Sequence, residues 1–98
     1  MRLRGIKSKK LRRICESDSA GIAPSHLIRL SDLLLALRTA TSVREIPESM
    51  KLHPLDNFKR RHLPPEKVVW AMKVTAQWRL TFRIDNLTIE DLDYVQYH

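Results

Sequence analysis

The sequence predicts an α+β fold in which an N-terminal helical hairpin packs on a small antiparallel β-sheet. The first observation is that every second residue of 78–84 is apolar, with arginine or threonine between, as in a strand with one buried face. The second is that leucines recur at spacings of three and four residues between Leu27 and Leu37, which is the period of one helix face. The apolar strand face and the leucine face of the helix must both be buried, and packing one on the other buries both.

Composition limits the possible classes of protein. With 98 residues, 43% hydrophobic content and only two glycines, we expect one folded domain spanning residues 1–98. The single cysteine, Cys15, excludes an internal disulfide and a cysteine metal cluster, which fits a reducing cytoplasm. The longest apolar run, Leu33 to Leu37, is too short to span a bilayer, and no signal peptide is visible. We therefore expect a cytoplasmic protein with no membrane partner.

The charge balance favours a polyanionic partner. Lysine and arginine number 18 against 11 acidic residues, for a net charge of +7. Such an excess suits RNA, DNA or the ribosome, although it also serves solubility alone. Five cations concentrate in and just before the first predicted helix, Ser8 to Ser17: Lys7, Lys9, Lys10, Arg12 and Arg13. An RNA-binding surface and an ordinary solvated helix face are equally compatible with them.

The first half of the chain predicts the helical layer. Residues 2–6 suit a short edge strand, and the first helix should stop before Gly21, which can take a left-handed backbone. Pro24 fits the first turn of a second helix that runs to about Thr39, with Ile28 and Leu35 widening its leucine stripe. Ser42 and Glu45 have the spacing of a capping box that opens a one-turn helix.

The second half predicts the sheet. Residues 51–55 should be extended because proline biases the preceding residue towards β geometry. A polar loop, 56–66, separates them from strands at 68–74 and 77–84. A turn at Asp85–Asn86 leads to a last strand, 87–95, whose alternation slips near Glu90 and Asp91 and so predicts a bulge or bend.

One group of residues suits metal-free RNA cleavage. The four histidines lack zinc-site spacing and no glycine-rich phosphate loop is present, so we expect no metal and no cofactor. Arginine can stabilise charge on a phosphorane, histidine can move a proton near neutral pH, and tyrosine can bind phosphate or stack on a base. The candidates are His53, Arg79, Arg83, Tyr97 and His98, backed by Lys51, Lys59, Arg60 and Arg61. Composition alone allows each a simpler role, as a turn residue, a solvated cation or a frayed end.

Several motifs occur in an order that resembles a known family. They are Ile6-Lys7-Ser8-Lys9-Lys10-Leu11-Arg12, Ser19-Ala20-Gly21-Ile22, Ala40-Thr41-Ser42, Lys51-Leu52-His53-Pro54-Leu55, Gln77-Trp78-Arg79-Leu80-Thr81-Phe82-Arg83 and the final Asp93-Tyr94-Val95-Gln96-Tyr97-His98. Together they cover nearly the whole chain. On these motifs the sequence is similar to the HigB branch of the RelE/ParE superfamily of bacterial toxins.

This resemblance implies a RelE-like fold and a toxin of a type II toxin–antitoxin system that cleaves mRNA on the ribosome. It implies a helix-turn-helix antitoxin of the HigA type, which binds operator DNA, so that the toxin meets DNA only through the antitoxin. It also implies that the active site includes His53, Arg79, Tyr97 and His98. From their concentrated charge we expect RNA contacts from the cations named above, including Lys9, Lys10, Arg12 and Arg13.

One departure from the family pattern affects the expected chemistry. The family usually has a catalytic lysine directly after the leucine-histidine-proline-leucine motif, whereas this sequence has Asp56. Either a cation of the following loop replaces it, or activity is reduced or redirected. The alternative interpretation is a non-catalytic toxin on the same scaffold, directed at gyrase or engaging only its antitoxin. The terminal tyrosine–histidine pair favours the nuclease, and Asp56 favours the alternative.

Overall fold

The computed structural model describes residues 1–15, 22–55 and 63–96, as two helices, five strands and short 3₁₀ turns. The helices are α1 (Lys9–Cys15) and α2 (Pro24–Thr39). The strands are β1 (Arg2–Leu3), β2 (His53–Pro54), β3 (Val69–Lys73), β4 (Trp78–Asp85) and β5 (Thr88–Gln96). The 3₁₀ turns are Val43–Glu45, Glu48–Met50 and Pro65–Lys67. None of the helices in these ranges is long and apolar enough to cross a membrane.

The five strands form one sheet in the order β1-β5-β4-β3-β2. Strands β2 to β5 pair antiparallel, but β1 runs parallel to β5, with Arg2 opposite Thr88. The α+β prediction and the short N-terminal edge strand are confirmed, while the wholly antiparallel sheet is wrong. The N-terminal helical hairpin is not confirmed, because the chain begins with a strand and the predicted helix break at Gly21 lies outside the described residues.

The core lies between the helices and one face of the sheet. Helix α2 buries Leu30, Leu33, Leu34 and Leu37. The sheet contributes Met72, Leu80, Phe82, Ile89 and Leu92, and α1 contributes Leu11. The predicted widening of the α2 stripe is wrong: Ile28 and Leu35 are 68% and 62% exposed. Their spacing of seven puts them on a common helix face, turned away from the four buried leucines.

A bulge in β5 explains the slip in its alternation. Thr81 pairs with Asp93 and Arg83 with Glu90, so a step of two residues on β4 matches a step of three on β5. The extra residue, Asp91, has a φ of 54°. The bulge returns the following residue, Leu92, to the core, where it is fully buried. The predicted irregularity near Glu90 and Asp91 is therefore confirmed.

The bulge residue Asp91 also forms an ion pair whose contribution to stability depends on pH. Arg83 Nε lies 2.6 Å from Asp91 Oδ2, and this hydrogen bond lowers the pKa of Asp91. A lowered folded-state pKa stabilises the protein above the ordinary carboxyl range, and the stabilisation is lost as pH falls through the folded-state value. We expect Asp91→Asn to lower the free energy of unfolding by about 0.5–1 kcal/mol at pH 7, since the pair is partly exposed.

Asparagine is the appropriate replacement because it tolerates the left-handed backbone that Asp91 occupies. Urea titrations of both proteins between pH 7 and pH 3 measure the difference. It should shrink towards the acid end of the series. A difference that is constant with pH would mean that the ion pair contributes nothing and that the bulge backbone explains the loss.

Two local predictions change in detail. Ser42 makes no side-chain cap, so the predicted capping box is wrong. The Glu45 carboxylate instead accepts hydrogen bonds from Thr41 N at 2.5 Å and Thr41 Oγ1 at 2.9 Å, which lower its pKa. The β4–β5 turn falls one residue later than expected, on Asn86 and Leu87, whose φ values of 51° and 65° are those of a type I′ hairpin turn.

The first residues tie the edge of the sheet to α2. The amino group of Met1 donates to the carbonyl oxygens of Leu37, Arg38 and Ala40 at 2.8, 2.9 and 2.6 Å. A cation at a helix C-terminus satisfies carbonyls that have no partner within the helix and complements the helix dipole. The contact therefore fixes β1 beside β5 from outside the sheet.

Candidate active site

The sheet has an outer face, defined here as the face turned away from α1 and α2, and it carries the polar residues of β4. Strand register places residues on this face in rows. One row runs from His53 through Ala71 and Thr81 to Asp93. The next row contains Lys73, Arg79 and Val95. The residues in the middle of this face, Ala71 and Thr81, are small and buried. The side chains that can take part in a reaction therefore lie towards the edges of the face.

His53 stands at one end of its row, on the short edge strand β2. Its side chain is exposed, and its Nδ1 lies 2.9 Å from the carbonyl oxygen of Lys51. Two strand spacings and two residues along β4 separate it from Arg79, a Cα distance of about 12 Å. The structure thus brings His53 and Arg79 onto one surface.

Arg79 is oriented by the β3–β4 turn. Its Nη1 donates to the carbonyl oxygens of Thr75 at 2.5 Å, Trp78 at 3.1 Å and Ala76 at 3.3 Å. Thr75 braces the same turn, because its Oγ1 accepts hydrogen bonds from Gln77 N and Trp78 N. The guanidinium is therefore held by backbone rather than left to sample many rotamers, which suits a group that must meet an anion in a fixed place.

Arg83, two positions further along the outer face, has a structural partner. It donates to Asp91 Oδ2 and, through Nη1, to the carbonyl oxygen of Glu66 at 2.7 Å. The hydrogen bond from Arg83 to Asp91 also raises the pKa of Arg83. An RNA phosphate at Arg83 would have to share the guanidinium with Asp91. The RNA contact of Arg83 stays a prediction, and Arg79 is the more favoured of the two arginines.

The cations of α1 lie on a different side of the molecule. Leu11 packs into the core on the inner face of the sheet, so α1 belongs to the helical layer. Lys9, Lys10, Arg12 and Arg13 are exposed there, and Arg12 Nη2 donates to the carbonyl oxygen of Ile6 at 2.7 Å. The α1 cations therefore belong to the helical layer, whereas Arg79 and Arg83 lie on the outer face of the sheet.

Several predicted site residues lie outside the described ranges. They are Lys59, Arg60 and Arg61, the neighbouring Asp56, and the final Tyr97 and His98. The described chain ends at Gln96, which pairs with Trp78, the residue next to Arg79. Tyr97 and His98 follow Gln96 directly in the sequence, and their site roles stay predictions.

An aromatic cluster supports this end of the sheet from the inner side. The rings of Trp78 and Tyr94 stack with centroids 4.4 Å apart, and His26 of α2 meets Trp78 edge-on at 6.3 Å. His26 Nδ1 lies 2.5 Å from the Tyr94 hydroxyl, and burial raises the pKa of that hydroxyl, which stays neutral at pH 7. The cluster fixes Trp78 on β4 against Tyr94 on β5, directly behind Arg79.

The outer face also carries Lys73 and Asp93, to which no site role is assigned from the sequence. Lys73 pairs with Arg79 across β3 and β4, and Asp93 ends the row that His53 begins. Only the strand register reveals them, since it requires the hairpin alignment as well as the alternation of each strand. A cavity of about 560 Å³ lies elsewhere, and its described lining, which includes Trp70, Ile84 and Leu87, contributes no titratable side chain.

Comparison with known proteins identifies the family. The family model described as the RelE-like toxin of type II toxin–antitoxin system HigB matches residues 4–98. The chain belongs to this HigB-like toxin family. A curated relative, Endoribonuclease HigB of Proteus vulgaris, is 31% identical over 98% of this chain and 99% of its own length. The part of this HigB-like toxin that the family model matches includes both His53 and Arg79.

Proposed function

We propose that this protein is an endoribonuclease toxin that cleaves mRNA on the ribosome and so inhibits translation. The observation that carries the proposal is the outer face, where the strand register places an exposed imidazole and a braced guanidinium on one surface. Membership of the HigB-like family supports the toxin role, and the relative named as an endoribonuclease supports the reaction class.

The reaction needs groups that this chain possesses. The ribose 2′-hydroxyl attacks the adjacent phosphorus, the 5′ oxygen leaves, and one proton is removed while another is delivered. Arg79 stabilises the negative charge of the phosphorane, because a guanidinium can form two parallel hydrogen bonds to its oxygens. His53 and His98 exchange the protons, and Tyr97 binds the phosphate or stacks on a base. No step in this scheme uses a metal ion.

The partners follow from the same proposal. The substrate is mRNA held by the ribosome, so the toxin works in the cytoplasm. The neutralising partner is a helix-turn-helix antitoxin of the HigA type, and operator DNA is reached only through that antitoxin. The cations Lys51, Lys59, Arg60 and Arg61 serve RNA contacts. One cation of the segment after Asp56 takes the place of the family lysine that Asp56 replaces.

The decisive experiment maps mRNA 5′ ends after brief expression of the toxin, with Arg79→Ala expressed to the same level as the control. In-frame cuts confined to translated regions, and absent with the variant, are the expected result. Cuts that also fall in untranslated regions would refute ribosome dependence. Growth inhibition without any cuts would overturn the nuclease and favour a binding toxin directed at another target, such as gyrase.

The α1 cations should supply a second ribosome contact away from the catalytic face. Replacing Lys9, Lys10 and Arg13 with glutamine should weaken co-sedimentation with ribosomes. The slope of log affinity against log salt should fall by roughly 0.7–0.9 for each phosphate that the protein no longer neutralises. Arg12 is kept because it holds the Ile6 carbonyl. Cleavage at saturating ribosome should be unchanged, since these residues lie in the helical layer.

A charge-matched control tests whether the position of these cations matters. The control replaces three other exposed cations with glutamine: Arg2, Arg38 and Arg44. It should bind ribosomes nearly as tightly as the parent across the salt series. Equal weakening by both triple variants would show that only net charge counts and that α1 is ordinary solvated surface.

A further inference from the structure

Lys51 has an unusual backbone conformation for its residue type. It follows the 3₁₀ helix Glu48–Met50 with φ 56° and ψ 39°, which is the left-handed region. Its N–H donates to the Glu48 carbonyl at 2.9 Å, so the conformation is fixed by the turn that it closes. A left-handed residue often ends a helix, as Lys51 does here, but a residue with a β carbon adopts this region at a cost.

The consequence of this conformation is the direction of the Lys51 carbonyl. Its oxygen lies 2.9 Å from His53 Nδ1. A carbonyl oxygen can only accept a hydrogen bond, so Nδ1 must carry the proton. In the neutral ring the other nitrogen, Nε2, then has the free lone pair. The bond therefore decides which nitrogen of His53 can take up a proton.

The His53 backbone is held independently of the ring. Strand β2 pairs His53 with Ala71. Two residues later, the N–H of Leu55 donates to the Val69 carbonyl at 2.8 Å. The side chain itself is exposed on the outer face. With the backbone fixed by β3 and Nδ1 fixed by Lys51, the ring has its remaining nitrogen accessible to a substrate.

We propose that Lys51 is a positioning residue whose left-handed backbone holds His53 as the Nδ1–H tautomer, so that Nε2 is the base of the cleavage reaction. The proton of the 2′-hydroxyl moves to Nε2 while the 2′ oxygen bonds to phosphorus. The bond from phosphorus to the 5′ oxygen breaks, and that oxygen receives a proton from the general acid, a role that falls to His98 once His53 is the base. The inference rests on the proposed function and adds to it the direction of proton transfer at His53.

Side-chain charge and backbone conformation at position 51 can be separated by substitution. Lys51→Gly, Lys51→Asn and Lys51→Val all remove the cation and with it any RNA contact. Glycine and asparagine accept the left-handed region readily, whereas a β-branched residue does not. Lys51→Val should therefore turn the carbonyl away from His53, while the other two variants keep it in place.

The first measurement is ring ¹⁵N NMR of the free protein at a pH where the histidine rings are neutral, with His53→Gln to assign the signals. We expect the Nδ1–H tautomer in the parent, Lys51→Gly and Lys51→Asn. Lys51→Val should show a mixture of tautomers. A parent protein in which His53 carries its proton on Nε2 would overturn the proposal without any variant.

The second measurement is cleavage of ribosome-bound mRNA. Lys51→Val should react about 10–100-fold more slowly than Lys51→Asn and Lys51→Gly, the usual effect of misplacing a reacting group, while the three variants bind ribosomes equally. If Lys51→Val keeps both the Nδ1–H tautomer and the rate of Lys51→Asn, the positioning role is wrong. Full activity in His53→Gln would instead refute the proposed base, and the tautomer result would show separately whether Lys51 holds the ring.

Discussion

Arg79→Ala should slow cleavage of ribosome-bound mRNA by about 10²–10³-fold, the usual effect of deleting one hydrogen-bond donor to the transition state. Three turn carbonyls hold the Arg79 guanidinium in place, so its contribution requires little reorganisation when the phosphorane forms. The chemistry should suffer more than ribosome binding. Single-turnover rates at saturating ribosome, measured beside co-sedimentation, separate the two effects.

Lys73 provides the matched control for Arg79. It lies directly opposite on β3, on the same face, and its exposed side chain carries the same charge. Lys73→Ala should reduce the rate only a few-fold, through loss of general electrostatic attraction. Arg79→Lys should remain well below the parent because an ammonium lacks the planar fork of donors. Equal losses in Lys73→Ala and Arg79→Ala would mean that the face provides charge alone, with no specific contact to the phosphorane.

Phe82→Ala should lower the free energy of unfolding by about 3–5 kcal/mol, as truncation of large buried aromatic side chains does. Phe82 is 1% exposed, pairs with Trp70 on β3 and lies opposite the β5 bulge, so its truncation leaves a cavity in the core. A loss of this size is a large share of the stability of a domain this small. Urea unfolding of the purified variant measures it.

Two companion variants make the Phe82 result specific. Phe82→Leu keeps most of the volume and should lose much less stability than Phe82→Ala. Leu87→Ala should change stability by less than about 0.5 kcal/mol, because Leu87 is 57% exposed in the hairpin turn. A Phe82→Ala midpoint within experimental error of the parent would mean that this face of β4 is not the core.

The parts of the fold that sequence predicts well are those decided by local pattern. The alternation along β4 identifies its buried face because a strand cannot turn two successive side chains the same way. Pro24 marks the start of α2, since proline suits a first helical turn. The slip at Glu90 and Asp91 predicts the bulge because an extra residue is the simplest way to return Leu92 to the core.

Features that depend on contacts between distant segments are the ones that sequence misses. The parallel pairing of Arg2 with Thr88 leaves no periodic trace in a two-residue strand. Ser42 and Glu45 have the spacing of a capping box, yet Thr41 donates to the Glu45 carboxylate instead, because backbone direction decides which donor is near. The same limit applies to Ile28 and Leu35, which match the helix period but face solvent.

Sequence reasoning about the site divides in the same way. It selects His53 and Arg79 by residue type and motif, and the strand register brings both onto one face. It cannot find Lys73, whose position depends on hairpin alignment, or the left-handed backbone of Lys51. A lysine gives no local signal for that conformation, which glycine or asparagine would have given.

The pairing of the first strand with the fifth has a consequence for synthesis. Residues 2–3 find their partners only at residues 88–89, so this edge of the sheet cannot form until residue 89 has been made. Strands β4 and β5 also form late, and contacts between such distant positions slow folding. Prematurely terminated chains would lack the last strand and have an open sheet edge. A cell that makes this toxin therefore has an interval, set by translation of the last strand, before any folded toxin exists.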